Sequence, residues 1–315
     1  MEPRPVLRRG TGGGGAHPRQ AGVRSRRGAV TGGRWGRRPL IGESAPAKVN
    51  LALHVTGQRT DGYHLLDSLV VFAAIGDRLA VELSDELALS ISGDLATGVP
   101  PGPENLVLRA AAILAPGQGA RIMLEKALPH AAGLGGGSAD AAAALRALSR
   151  LWGVPLPPLD EILTLGADVP VCLTGAPQRM AGIGEVLSDV PSLPPLYAVL
   201  VNPRVTVPTG AVFEGLSRKE NPAMGAPDWV DFRSFIEWLS RQRNDLEASA
   251  IAVAPAIETA LGALQREDTP LARMSGSGAT CFGLFETARA AEFAAASISA
   301  AHPDWWVKAT PLLTC

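Results

Sequence analysis

The stretch "ALPHAAGLGGGSADAAAAL", residues 127–145, places four glycines within five positions directly before a run of alanine. Glycine takes positive φ without penalty and has no side chain to hold a ligand away from the backbone, whereas alanine is the strongest helix former. The alternating segment "ARIMLEK" just upstream reads as a strand. The order is therefore strand, glycine loop, helix. Ser138 suits the helix N-cap, and "ADAAAALRALSRLW" puts Leu145, Leu148 and Trp152 on one face. The unpaired first N–H groups of such a helix, together with its positive dipole end, favour an anion. Two readings remain open for the loop by itself, a phosphate cradle and a glycine-rich structural turn. A P-loop is excluded because no Gly-Lys pair occurs in the chain, and a dinucleotide fingerprint fails because Ser138 stands where its last glycine belongs.

Working outward, "APAKVNLALHVTG" alternates as a half-buried strand does. Val49, Leu51, Leu53 and Val55 fall on one face, with Lys48, Asn50, Ala52 and His54 on the other. An Asp61-Gly62 turn signal follows, then a more buried strand, "LLDSLVVFAAI". "DRLAVEL" and "LALSISG" read as further strands, and residues 104–114 as a helix. Beyond residue 190, "LYAVLVNP", "ATCFGLF" and "WWVKATPL" read as strands. "DFRSFIEWLSRQR", "AVAPAIETALGAL" and "TARAAEFAAASISA" read as helices.

A chain of 315 residues, 46% hydrophobic, can bury one large core or two. No apolar run approaches the roughly 18 residues of a membrane span, and the N-terminus lacks the apolar region of a secretory signal, so a cytoplasmic protein without membrane contact is expected. Cys172, Cys281 and Cys315 are far apart, lack zinc-ligand spacing and read as reduced structural thiols. The net charge of −1 hides an asymmetry: residues 1–40 carry ten arginines and one acid, Glu2. That Arg/Gly-rich leader has too little apolar surface to offset its ordering entropy and is expected to be disordered, with no nucleic-acid partner required.

Taken together, several motifs resemble the GHMP kinases. "PHAAGLGGGSADAA" is similar to their phosphate loop, approximately PxxxGLGSSAA, and "RMSGSGATCFGLF" to their C-terminal glycine-rich segment. "PAKVNLALHVTGQRTDGYH", "LGADVPV", "GIGEVL" and "NDLE" narrow the resemblance to the branch acting on a cytidine-diphosphate-linked methylerythritol. It implies an α+β, two-domain fold: a leader over 1–43, a ribosomal-protein-S5-like ATP-binding domain over 44–190, and a ferredoxin-like domain over 191–315. The implied reaction moves the γ-phosphoryl of ATP to the 2-hydroxyl of 4-diphosphocytidyl-2-C-methyl-D-erythritol, a step of isoprenoid precursor biosynthesis. Asp168 matches the general base and Lys48 the lysine that orients it and stabilises developing charge.

ATP is expected over Pro129, His130, Ala131, Ala132, Gly133, Leu134, Gly135, Gly136, Gly137, Ser138 and Ala139. Tyr63 and Phe213 match the rings that sandwich the cytosine, His64 the group that hydrogen-bonds the base edge, and Asn50 a residue that binds the erythritol hydroxyls. Mg²⁺ is implied, with Ser138 as its candidate protein ligand and Asp140 a second one. Ala139 departs from the pattern, standing where many members have serine, and no catalytic role falls on His130 or His54. The expected partner is a small-molecule substrate, and the chain a monomer or homodimer. Two alternatives stay open: another small-molecule GHMP kinase, such as a mevalonate-type or homoserine kinase, and a non-catalytic nucleotide- or RNA-binding protein.

Overall fold

The computed structural model describes residues 40–314; residues 1–39, which make up most of the leader, and Cys315 lie outside the described residues. In chain order the elements are β1 (Ile41–Gln58), β2 (His64–Leu83), β3 (Ala88–Ser92), α1 (Leu106–Leu114), β4 (Ala120–Glu125), α2 (Gly136–Trp152), α3 (Leu159–Leu163) and α4 (Val169–Thr174). Then come β5 (Gln178–Gly182), β6 (Val186–Asp189), β7 (Tyr197–Asn202), α5 (Thr209–Glu214), α6 (Phe232–Ser240), α7 (Glu247–Val253) and α8 (Ala256–Gln265). β8 (Ala272–Met274), β9 (Cys281–Phe285), α9 (Ala288–Ala301) and β10 (Trp306–Leu313) complete the chain. This is the expected α+β mixture.

The long hairpin β1–β2 is the spine. It turns over Gly62, whose φ is +94°, and "DRLAVEL" continues β2 instead of forming a separate strand. β4 and β5 pair antiparallel with opposite halves of β2, and β3 joins β4 in parallel through the α1 crossover. β10 bridges β2 to β7, so the strand order runs β3-β4-β2-β10-β7-β9-β8. One apolar cluster, including Phe72, Ile122, Leu145 and Leu148, fills the space between the first strands and α1, α2 and α4. A second joins Leu51 and Leu69 to Phe235, Trp238 and Phe282, binding residues from both halves of the chain. A third packs α8 and α9 on β7 and β9.

Four further local expectations need correction. Helix α2 starts at Gly136, with Gly135 as its cap at φ +61° and no side-chain cap, so Ser138 lies inside the first turn. Glycine's freedom lets the chain enter the helix three residues early. β1 begins at Ile41, inside the segment assigned to the leader. Both faces of β1 are buried, and its alternation is broken by register shifts at Pro46/Lys48, Asn50/Ala52 and Val55/Gly57. A bulge places two residues opposite one and re-aims those beyond it. Leu53, not His54, consequently shares the cleft with Lys48 and Asn50. His54 instead faces inward: Nδ1 lies 3.0 Å from Pro222 O, and Nε2 accepts from the Arg243 N–H at 3.2 Å. "AVAPAIETALGAL" is likewise two helices, α7 and α8, divided at Ala254 and Pro255.

Candidate active site

The glycine loop leaves β4 and turns through alternating positive φ at Ala131 (50°), Gly133 (75°) and Gly135 (61°). Such alternation turns successive N–H groups toward one concavity, the geometry of an anion nest. Alanine at positive φ is a strained choice, and strain of this kind collects at sites. The concavity is a cavity of about 270 Å³, lined by Pro129, His130, Ala131, Ala132, Gly133, Gly135, Gly136, Gly137 and Ser138, with Lys48, Lys126 and Leu106. Leu134 and Ala139 do not line it. Their side chains are buried in the core, because a helix and loop seated on a sheet must turn some positions inward.

A second glycine loop, residues 275–278, is stitched to the first. Ser275 Oγ donates to Gly133 O at 2.9 Å and accepts from the Asn50 N–H at 3.1 Å, while the Thr280 N–H donates to Ala132 O at 3.1 Å. Asn244 steadies the second loop, its Nδ2 donating to Met274 O and Gly276 O at 2.8 Å each. Arg273 lies buried beneath, donating to the carbonyls of Leu51, Leu239 and Gln242; burial pulls its guanidinium down to about 10, against the charge of Glu247. Ser275, Asn244 and Arg273 were not individually assigned from sequence. Their only signal there is membership of "RMSGSGA" and "NDLE".

Beside the loop cavity lies a larger one of about 720 Å³, lined by Asn50, Leu53, Tyr63, His64, Phe213 and others. The two cavities share Lys48, Ser138, Asp168, Thr209, Gly276 and Ser277. On that boundary Lys48 Nζ donates to Asp168 Oδ2 at 2.7 Å, although the residues are 120 positions apart. The Lys48 side chain is 5% exposed and that of Asp168 31%, so the carboxylate opens to the cleft while the ammonium is sheltered behind it. The Lys48 N–H is fixed to Leu134 O at 2.9 Å, tying strand to loop. Asp168 occupies the N-cap position of α4 but does not cap the helix with its side chain. Its carboxylate is turned to Lys48 instead.

In the larger cavity His64 stacks on Phe213, with ring centroids 4.8 Å apart and planes inclined by 26°. Burial and the charge of Lys219 lower the His64 imidazole below its ordinary value, and its Nε2 is buried without a partner. Asn50 Nδ2 donates to Ser68 Oγ at 2.7 Å, leaving buried Oδ1 unpartnered. Buried polar atoms normally find a partner, so both unmet groups are ready for a ligand. Tyr63 stands at the rim, 61% exposed.

Sequence reasoning missed a buried ion cluster under the loop. Lys126 Nζ donates to Asp77 and, at 2.6 Å, to Asp140 Oδ2, while Asp77 Oδ1 accepts from the N–H groups of Ala127 and Leu128. Burial pushes the Asp140 carboxyl up to about 7 despite the pull of Lys126. Burial opposes the charge of Lys126, but the two carboxylates outweigh it and raise its ammonium. Asp140 is thus committed to Lys126 and does not line the loop cavity, unlike Ser138. Cys172 and Cys281 are free and buried, with both thiols raised by burial. Among the described residues no cluster of three or more His, Cys, Asp or Glu could hold a metal, and no helix is long and apolar enough to cross a membrane.

Comparison with known proteins agrees with this architecture. The GHMP kinases N terminal domain family matches residues 105–184, and the GHMP kinases C terminal family residues 221–304. The chain is 59% identical over 280 residues to the 4-diphosphocytidyl-2-C-methyl-D-erythritol kinase of Dinoroseobacter shibae, covering 88% of this chain and 96% of the relative. It is 57% identical over 270 residues to the kinase of the same name from Jannaschia sp., covering 85% and 96%. A crystal structure of 4-(cytidine 5'-diphospho)-2C-methyl-D-erythritol kinase superposes with a TM-score of 0.72 at 35% identity, covering 86% of this chain and 99% of that one. Homoserine kinase from Cytophaga hutchinsonii, at 18% identity and a TM-score of 0.61, shares the fold. Identity of this level across nearly the whole length of its relatives makes the chain a member of the 4-diphosphocytidyl-2-C-methyl-D-erythritol kinase family of GHMP kinases.

Proposed function

We propose that this protein transfers the γ-phosphoryl group of ATP to the 2-hydroxyl of 4-diphosphocytidyl-2-C-methyl-D-erythritol, with Asp168 as general base and Lys48 as its partner. The observation that carries the reading is the Lys48–Asp168 pair, 2.7 Å apart on the boundary between the glycine-loop cavity and the larger cavity. A phosphoryl donor on one side and an alcohol on the other would meet there. Asp168 takes the hydroxyl proton as the new O–P bond forms, the bond between the γ-phosphorus and its bridging oxygen breaks, and ADP leaves.

The N–H groups from Gly133 to Ser138 suit the phosphates, since they cost no reorganisation when charge moves. Lys48 sits beside both the carboxylate and the phosphoryl path, where its ammonium aligns Asp168 and offsets charge on the transferring oxygens. In the larger cavity Phe213 and the rim residue Tyr63 supply flat faces for cytosine, and His64, stacked on Phe213, keeps its Nε2 available to the base edge. Asn50 Oδ1 is a free acceptor for an erythritol hydroxyl. Mg²⁺ would be held chiefly by the nucleotide's phosphates and by water, offsetting the phosphate charge, with the Ser138 hydroxyl on the shared boundary as its protein ligand; Thr209 and Ser277, the other hydroxyls there, lie 3.0 Å from each other. The two-domain division at residue 190 belongs to the same reading, with the site lying where the two glycine loops meet.

ADP release tests it, with 4-diphosphocytidyl-2-C-methyl-D-erythritol, mevalonate and homoserine offered in parallel to the intact chain and to Asp168→Asn. The expected result is turnover of the first acceptor alone, and a loss of about 10²- to 10⁴-fold in the variant. Equal rates in the two proteins would remove Asp168 as the base. Turnover of mevalonate or homoserine in its place would reassign the substrate.

A further inference from the structure

Only four of the chain's 29 Lys and Arg residues are lysines: Lys48, Lys126, Lys219 and Lys308. Three of those four line the two cavities, and no described arginine lines either one. Lysine presents a compact charge on a flexible stem that can follow an anion, whereas the arginine fork demands a fixed planar partner. Two of the three are already matched: Lys48 by Asp168, Lys126 by Asp77 and Asp140. Lys219 is not.

Its ammonium donates to a neutral amide, Gln58 Oε1, at 3.3 Å, and no carboxylate among the described residues lies within ion-pair distance of it. Of the three carboxylates lining the larger cavity, two are paired and the third is exposed. Asp61 pairs with Arg59 at 2.7 Å, Asp168 pairs with Lys48, and Glu214 is exposed on α5. Lys219 sits near the stacked rings of His64 and Phe213, where its charge helps to lower the His64 imidazole. An acceptor whose base lies at those rings and whose alcohol reaches Asp168 must carry its two phosphates through the space between. A cavity with one unspent cation is suited to receive them.

We propose that Lys219 is the specificity residue that binds the diphosphate of a nucleoside-diphosphate-linked acceptor, separating it from acceptors that carry the alcohol alone. The inference rests on the acceptor reading given above. The test is calorimetric binding of CDP and of cytidine to the full chain, with ADP saturating the glycine-loop cavity, for the wild type, Lys219→Met and Lys219→Gln. Melting temperatures verify that the variants fold. A single charge-assisted contact predicts CDP affinity about tenfold weaker in both variants and cytidine affinity unchanged, with the CDP difference shrinking as salt is raised. In turnover, the acceptor KM should rise by a similar factor while the ATP KM stays fixed. Unchanged CDP affinity, or parallel weakening of CDP and cytidine, overturns the role of Lys219. Absence of turnover in the wild type would instead overturn the functional reading, and the binding comparison would still judge Lys219.

Discussion

Replacing Gly133 by alanine should damage both stability and catalysis, and two other glycines separate the causes. Gly133 has a φ of +75°, a conformation that costs a residue with a Cβ about 1–2 kcal/mol. A Cβ there would also strike the backbone of the second glycine loop, meeting Ser275 O, and Gly278 O and N at 2.8 and 2.9 Å. Neither loop can yield freely, because Ser275 Oγ to Gly133 O and the Thr280 N–H to Ala132 O hold them together. Forcing an extra group into packed backbone adds about 1–3 kcal/mol, so the total is about 2–5 kcal/mol. At Gly62, where φ is +94° and nothing lies within 4 Å of the added atom, only the conformational cost applies. Gly135→Ala would press on the Lys48 side chain at 3.1 Å, which can move, so activity should fall there with less loss of stability than at Gly133. Urea unfolding gives the stabilities, and ADP release gives kcat and the KM for ATP. Displacing the anion nest by about 1 Å should cost Gly133→Ala about 10²-fold in kcat/KM for ATP. If Gly133→Ala is no less stable than Gly62→Ala, the contact between the loops is not the constraint described here.

The remaining expectations concern groups that hold the site from behind. Burial lowers the His54 imidazole below 6.5, so below that pH the unfolded chain binds more protons than the folded one. Stability should therefore decline as pH falls through the window beneath 6.5, and His54→Gln should flatten that decline in urea titrations between pH 5 and 8. His64, lowered in the same direction, leaves some slope behind. An identical pH profile in His54→Gln would mean that His54 does not carry the linkage. Arg273→Lys strips donors from the carbonyls of Leu51, Leu239 and Gln242 in a buried place, at a cost of about 2–4 kcal/mol. Wild-type stability in that variant would show those carbonyls to be satisfied by other means.

What the sequence by itself determined is local. Glycines 133, 135, 136 and 137 against an alanine run specify a loop entering a helix, and alternation from Val49 to Val55 specifies a strand, because φ/ψ preference and side-chain period act within a few residues. The motif order carried the resemblance that picked out Lys48 and Asp168 in advance. What only the tertiary structure decided lies between distant positions: the bulge that turns Leu53 rather than His54 to the cleft, the Lys126 cluster, the Ser275 tie 225 residues from Asn50, and the unmatched ammonium of Lys219. A charge or a hydrogen-bonding group has no assigned partner until the chain closes, and burial then sets both the cost of leaving it alone and the value of pairing it.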